Sequence, residues 1–295
     1  MTLAARRILV VGASSGIGRA VALSATAAGA QVVFGARRAD RLKQAVEEAG
    51  GGTAIVADVR RPDDCERLVG EAVETLGGLD VLMYCAGITS IARLADADAE
   101  HWRRIFETNV FGAQWVTRAA LPHLLRGAAE PVGGVTGGGL AAYLSSNSVA
   151  RPRPGLVAYS ASKAALDESI LGWRTEHPEL RFLRIIVGPT IGTDAARDYD
   201  LNLVGDLFRQ WTAHAFMTEK MMQADDLGQL IAETLSTVLA HPEIAMQDLR
   251  LEPPGPIRRL DAGEGSEALV EAVARQRDHA FAKADDPPEG RPRKS

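Results

Sequence analysis

The chain has 295 residues, of which 46% are hydrophobic and 24% charged, and its net charge is −5. That balance belongs to a globular protein with a sizeable core and excludes collagen-like, low-complexity and disulfide-scaffold classes. An acidic chain without a basic face has no footprint for nucleic acid, and no uncharged apolar run reaches the roughly 20 residues of a membrane-spanning helix.

The two cysteines, Cys65 and Cys85, form no CxxC pair, so free thiols in a reducing cytoplasm are expected. Arg6-Arg7 before Ile8–Val11 mimics the start of a signal peptide, but the apolar run stops at Gly12-Ala13-Ser14-Ser15. The N-terminus is therefore read as mature sequence.

Apolar runs alternate with helix-periodic segments. Ile8–Val11 reads as a strand buried on both faces. A helix from Gly16 to Ala28 follows and stops at Gly29. Val32–Phe34 is the second strand, Asp40–Ala49 a charged amphipathic helix, and Thr53–Ala57 the third strand. Pro62–Leu76 is a helix with proline at its start, where the missing N–H costs nothing. Leu79–Tyr84 is the fourth strand, and one long helix is predicted from Glu100 to Leu125. A glycine-dense loop at 127–139 precedes strand Leu140–Leu144, a helix over 157–176 and strand Phe182–Val187. The stretch 195–222 is mixed; a helix at 225–240 and a strand near Met246–Leu251 close the pattern.

Strand–helix alternation with short turns predicts a doubly wound parallel α/β sheet in a single domain. That domain is expected over 1–256. Residues 257–295 carry eight basic and eight acidic side chains and few large apolar ones, and are expected to be a partly helical or flexible tail.

The first strand is followed by Gly12, Ser14, Ser15, Gly16, Ile17 and Gly18, which open the first helix. Glycines permit a tight turn and close approach to a pyrophosphate, and the helix N-terminus offers N–H donors to an anion. Dinucleotide binding is expected in that context. NAD sites often place an acid about 20 residues past the glycines, to bind the ribose 2′-hydroxyl. Here that place holds Ala36, Arg37 and Arg38. Guanidinium groups suit a 2′-phosphate, so NADP(H) is preferred over NAD(H).

Tyr159 and Lys163 stand four apart at the start of a predicted helix, on one face. An ammonium beside a phenol is expected to lower the phenol pKa and make a proton donor and acceptor useful near neutral pH. Ser146 lies thirteen residues earlier, at the ligand-binding end of a strand.

In combination these motifs resemble the short-chain dehydrogenase/reductase family, in its branch of about 250 residues. The likeness covers residues 6–256. It includes Asp58-Val59 after the third strand, Cys85-Ala86-Gly87 after the fourth, Asn109 in the long helix, Ser146, Tyr159 and Lys163. The resemblance implies a Rossmann fold and oxidation of an alcohol or reduction of a carbonyl. It implies that Tyr159 is the general acid/base and that Ser146 orients the substrate oxygen, with Ser145 and Ser148 as rivals. It implies that Lys163 binds the nicotinamide ribose and tunes the tyrosine, and that Asn109 holds a water in the proton relay. Asp58 is implied at the adenine, with Val59, Ala86, Gly87, Pro189, Ile191 and Thr193 also lining the cofactor. A homodimer or homotetramer built on the helices at 100–125 and 157–176 is implied as well.

Two positions depart from the family pattern. Cys85 replaces an asparagine, and is read as a buried inert thiol rather than a redox group. Gly188-Pro189 reverses the usual Pro-Gly order. Over 195–222, Trp211, His214, Phe216, Met217, Met221 and Met222 either line an apolar pocket or pack that segment onto the body. No histidine pair has metal-ligand spacing, so no metal is expected. The altered positions keep a second reading open, a cofactor-binding sensor or scaffold with little turnover.

Overall fold

The computed structural model describes residues 2–129, 139–197 and 199–257. Its elements run β1 (Arg7–Val11), α1 (Gly16–Ala27), β2 (Gln31–Ala36), α2 (Ala39–Ala49), β3 (Thr53–Val56), α3 (Pro62–Leu76), β4 (Val81–Tyr84) and α4 (Ala99–Phe106). There follow α5 (Gly112–Ala129), β5 (Leu140–Ser146), α6 (Val157–Glu176), β6 (Arg181–Val187), β7 (Thr190–Ile191), α7 (Leu201–Ala213), β8 (Met222–Gln223), α8 (Ala224–Ala240) and β9 (Asp248–Leu251).

Seven strands form one sheet in the order β3-β2-β1-β4-β5-β6-β9. Every pairing in it is parallel. Side chains alternate between faces with period two. Ile8 and Val10 enter one apolar layer with Phe34 and Met83, under α1, α2 and α8. Leu9 and Val11 enter the other with Leu82, Tyr84 and Tyr143, under α3, α5 and α6. Both faces are covered, which is why these strands read as continuous apolar runs. The strand order reverses between β1 and β4, and a doubly wound sheet binds its ligand in the crevice at that reversal.

The long predicted helix differs from expectation in one way that matters. It runs from Ala99 to Ala129, but a π turn at Glu107–Phe111 interrupts the α-helical pattern. Such turns widen the helix locally and often occur at functional sites. Asn109 sits inside this one and is fully buried. The predicted loop begins later than expected, because α5 continues past Pro122 to Ala129; residues 130–138 lie outside the described residues. Within the mixed stretch 195–222, residues Leu201–Ala213 form α7. Ile257 pairs with Thr218 in an antiparallel bridge, so the folded body reaches one residue past the expected boundary. The remainder of the expected tail lies outside the described residues.

Candidate active site

The turn after β1 is shaped by close backbone approach. Gly12 has φ +92°, and a Cβ there would lie 2.6 Å from the Ala86 backbone nitrogen. Any side chain at this position would push apart the two strands that flank the crevice. Ala86 and Gly12 are thus neighbours, as are Gly16 and Thr193, whose side chain rests over the turn. Ser15 caps α1 without a side-chain hydrogen bond to the helix, so the first-turn N–H groups keep their capacity for an anion.

The two arginines after β2 diverge. Arg38 folds back over the turn, donating to Ser14 Oγ at 3.0 Å and Ser15 Oγ at 2.6 Å. It also pairs with Asp194 at 2.5 Å, and Arg41 joins the same carboxylate at 2.9 Å. Arg37 is exposed, and its charge acts on Asp58 instead. Burial raises the Asp58 carboxyl, but the Arg60 guanidinium and backbone N–H more than reverse this and hold it below its ordinary value. Val59 is buried beneath it.

Three elements deliver the four catalytic candidates: β5, α6 and the π turn. Ser146 is the last residue of β5, and Tyr159 and Lys163 lie in the first two turns of α6. Among the side chains, the Ser146 hydroxyl is the one that most draws the Tyr159 phenol back down against burial. Ser148 bonds to Ser146 at 2.9 Å, whereas Ser145 faces Asp167 on α6. Lys163 Nζ donates to the Leu144 carbonyl at 2.8 Å and stands 6.0 Å from the Tyr159 ring centre. Asn109 is fully engaged: its Oδ1 accepts from the Ile88 N–H at 2.8 Å, and its Nδ2 donates to Ile88 O and Ser162 Oγ, both at 3.0 Å. Its side chain ties the backbone after β4 to α6. Gly87 lies between them, within 3.4 Å of Asn109 Oδ1 and Lys163 Nζ measured from a built Cβ.

The expected lowering of the tyrosine by the lysine is corrected here. Burial pushes the Tyr159 phenol above its ordinary value, and the groups that pull it back are Ser146 and the Arg153 guanidinium. Lys163 itself is pushed down to about 8 by burial, against the opposing influence of Asp167 and Cys85. A buried ammonium costs stability, and such costs concentrate at functional sites. The sign of the consequence is fixed. Between about pH 8 and the ordinary lysine value near 10.4, the unfolded chain binds more protons than the folded one, so unfolding free energy rises with pH. The rise should reach up to about 3 kcal/mol, and Lys163→Met should flatten it in urea unfolding across that window. Equal slopes for the two proteins would contradict the assignment.

Both departures from the family pattern have a structural account. Burial pushes the Cys85 thiol far up, so no thiolate forms there near neutral pH. At Gly188, a Cβ would stand 2.2 Å from Glu252 Oε2. Glycine at this place lets the carboxylate of the residue after β9 press against the chain after β6. Pro189 then accepts the Met222 N–H at 3.0 Å, which starts the short pairing of β7, with Ile191, against β8.

The expected pocket residues divide. Trp211 and Met217 are buried with Leu156 and Leu207, and Trp211 Nε1 donates to Pro154 O at 2.7 Å. Phe216 borders this cluster beneath the Arg151 guanidinium, 4.4 Å from the ring centre. Met222 packs against the main core, and His214 and Met221 are exposed. Sequence reading missed Asp194, Arg41, Asn147, Arg153 and Tyr199. Only Asp194, next to Thr193, carried a positional hint. Among the described residues no group of His, Cys, Asp and Glu could hold a metal, and no helix is long and apolar enough to cross a membrane.

Comparison with known proteins agrees with this fold. The short chain dehydrogenase family model matches residues 6–201. The chain belongs to that family. An 11-beta-hydroxysteroid dehydrogenase 1A of Arabidopsis thaliana is 35% identical over 165 residues, 54% of this chain and 44% of its own length. The chain thus spans about half the length, or less, of such curated relatives. An uncharacterized oxidoreductase of Mycobacterium tuberculosis is 36% identical over 243 residues, 80% of this chain and 86% of that protein. A short-chain type dehydrogenase/reductase from Mycobacterium marinum superposes with a TM-score of 0.70 at 27% identity, covering 85% of this chain and 95% of that one.

Proposed function

We propose that this chain interconverts an alcohol and a carbonyl, with NADP(H) as the preferred cofactor and Tyr159 as general acid/base. The observation that carries the reading is that Ser146 ends β5 at the C-terminal edge of the sheet, while Tyr159 opens α6 with a buried Lys163 that bonds to the Leu144 carbonyl of β5 at 2.8 Å.

The residues present fit a nicotinamide dinucleotide. Gly12 lets the turn after β1 run against the Ala86 backbone, where a Cβ would stand 2.6 Å away, and the first turn of α1 offers its N–H groups beside that turn. Ile17, Asp58, Val59 and Gly87 would line the adenosine and nicotinamide sides, with Pro189, Ile191 and Thr193 above. When bound, the cofactor supplies or accepts the hydride. Ser146 orients the substrate oxygen. Tyr159 gives or takes the proton at that oxygen. Lys163 would hold the ribose and maintain positive charge near the phenol. Asn109 fixes the loop after β4 against α6, and with it the relay the family reading assigns to it.

The NADP(H) preference rests on Arg38. It is the arginine that reaches the glycine turn, and Arg41 converges on the same carboxylate, which supports a 2′-phosphate site beside that turn.

A homodimer or homotetramer in the cytoplasm completes the reading. Phe111 on the π turn and Leu171 on α6 are 46% and 42% exposed, large apolar side chains on the two helices the family uses for assembly. Light scattering should give an oligomer, and Phe111→Glu combined with Leu171→Glu should give a monomer. A wild-type monomer would remove this part of the proposal. The activity is tested by a panel of carbonyl compounds with NADPH. Alcohol should form in step with NADPH consumed; NADPH binding with no product from any carbonyl would overturn the enzyme reading.

A further inference from the structure

We propose that Arg153 is the anion-recognition residue of the substrate cleft, so that the substrate is a hydroxy or carbonyl compound bearing a carboxylate or phosphate-like oxyanion. This rests on the reading of Ser146 and Tyr159 as the reacting pair.

Arg153 lies in the loop that joins Ser146 to the first turn of α6, between the two hydroxyls assigned to the chemistry. A hydrogen-bonded chain built by distant segments holds it. Its Nη2 donates to Asn147 Oδ1 at 3.1 Å, and Asn147 Nδ2 donates to Glu252 Oε2 at 3.0 Å. Gly188 makes the room that this carboxylate occupies. Glu252 also takes Arg250, at 3.4 Å, and reaches Arg153 by way of the asparagine.

The guanidinium fork is only partly used. Arg153 Nε is buried and has no hydrogen-bond partner among the described residues. A buried N–H left unpaired costs free energy, so a group that is otherwise well anchored but orphaned at one donor is matched to something that binds there. A planar oxyanion satisfies Nε and an Nη together through two parallel charge-assisted bonds, which are stronger than those to a neutral oxygen. Asn147, which takes the Arg153 guanidinium, directly follows Ser146, so the orphaned donor belongs to the same loop as the reacting hydroxyl at the end of β5. Tyr159 and Tyr199 in turn border an apolar cluster of Leu156, Val204, Leu207 and Trp211. An apolar body with one oxyanion near the carbonyl is the ligand chemistry these neighbours define.

The test uses 4-phenyl-2-oxobutanoate, its phosphonate analogue and its methyl ester as substrates of the full chain, and 4-phenylbutyrate and its methyl ester as unreactive ligands in calorimetry. Wild type should favour the acid over the ester by about 10- to 100-fold in kcat/KM and in binding. Arg153→Met should abolish that ratio, mostly through KM, and Arg153→Lys should restore part of it. NADPH binding should stay near wild type in both variants, and the rate with the ester, which depends on Arg153 only through the Tyr159 phenol, should fall far less than the rate with the acid. The carboxylate-to-phosphonate ratio assigns the preferred oxyanion. Equal handling of acid and ester by wild type, failure of the acids to bind, or equal loss on acid and ester in Arg153→Met would overturn the proposal. Selective binding of 4-phenylbutyrate without reduction of any oxo compound would keep the anion site and overturn the oxidoreductase reading instead.

Discussion

Tyr159→Phe should lower turnover by about 100- to 10,000-fold, the range in which a positioned proton donor acts, while NADPH binds as before. The substitution removes one hydroxyl and keeps the ring that borders the Leu156 and Leu207 cluster. Ser146 keeps its bond to Ser148 at 2.9 Å, so no hydroxyl is stranded. The loss should appear in kcat and kcat/KM together, because the proton is needed only as the reaction proceeds. Assays over a range of carbonyl concentrations separate this from weakened binding. A variant with more than a tenth of wild-type turnover would contradict the role given to Tyr159.

Arg38→Leu should weaken NADPH binding by about 10- to 100-fold and leave NADH binding nearly unchanged. Of the two arginines after β2, Arg38 lies on Ser14 and Ser15, whereas Arg37 faces solvent and Asp58. Asp194 neutralises Arg38 and Arg41 in part, through contacts of 2.5 and 2.9 Å. Asp194→Asn should therefore move NADPH affinity the opposite way, by freeing both guanidinium groups for phosphate. Fluorescence titration of each protein with both cofactors reads the two effects. A parallel fall for NADPH and NADH in Arg38→Leu would mean that the arginine shapes the glycine turn and does not select phosphate.

The sheet was legible because its strands are buried on both faces. Ile8–Val11 and Leu82–Tyr84 carry no polar residue, and glycines or a proline punctuate the helices between them. The glycine turn and the Tyr159/Lys163 spacing were legible because local backbone geometry dictates them. What escaped depends on residues far apart in the chain. Arg38 and Asp194 are 156 positions apart, and Asn147 and Glu252 are 105 apart. The π turn escaped because Glu107–Phe111 has ordinary helical residues; the side chain of Asn109 holds Ile88 and Ser162, which no periodicity reports. The direction of the Tyr159 pKa escaped for the same reason. Spacing shows that Lys163 is near, but not that burial outweighs it or that Arg153 is the cation acting on the phenol.

Transfer of deuterium from the nicotinamide C4 of labelled NADPH to a carbonyl carbon tests the central claim most directly. Wild type should place deuterium on the carbinol carbon of the product in a single turnover, read by mass spectrometry, and Tyr159→Phe should place almost none in the same time. Labelled cofactor that binds wild type but leaves every carbonyl unlabelled would contradict the account and leave a nucleotide-binding protein without this chemistry.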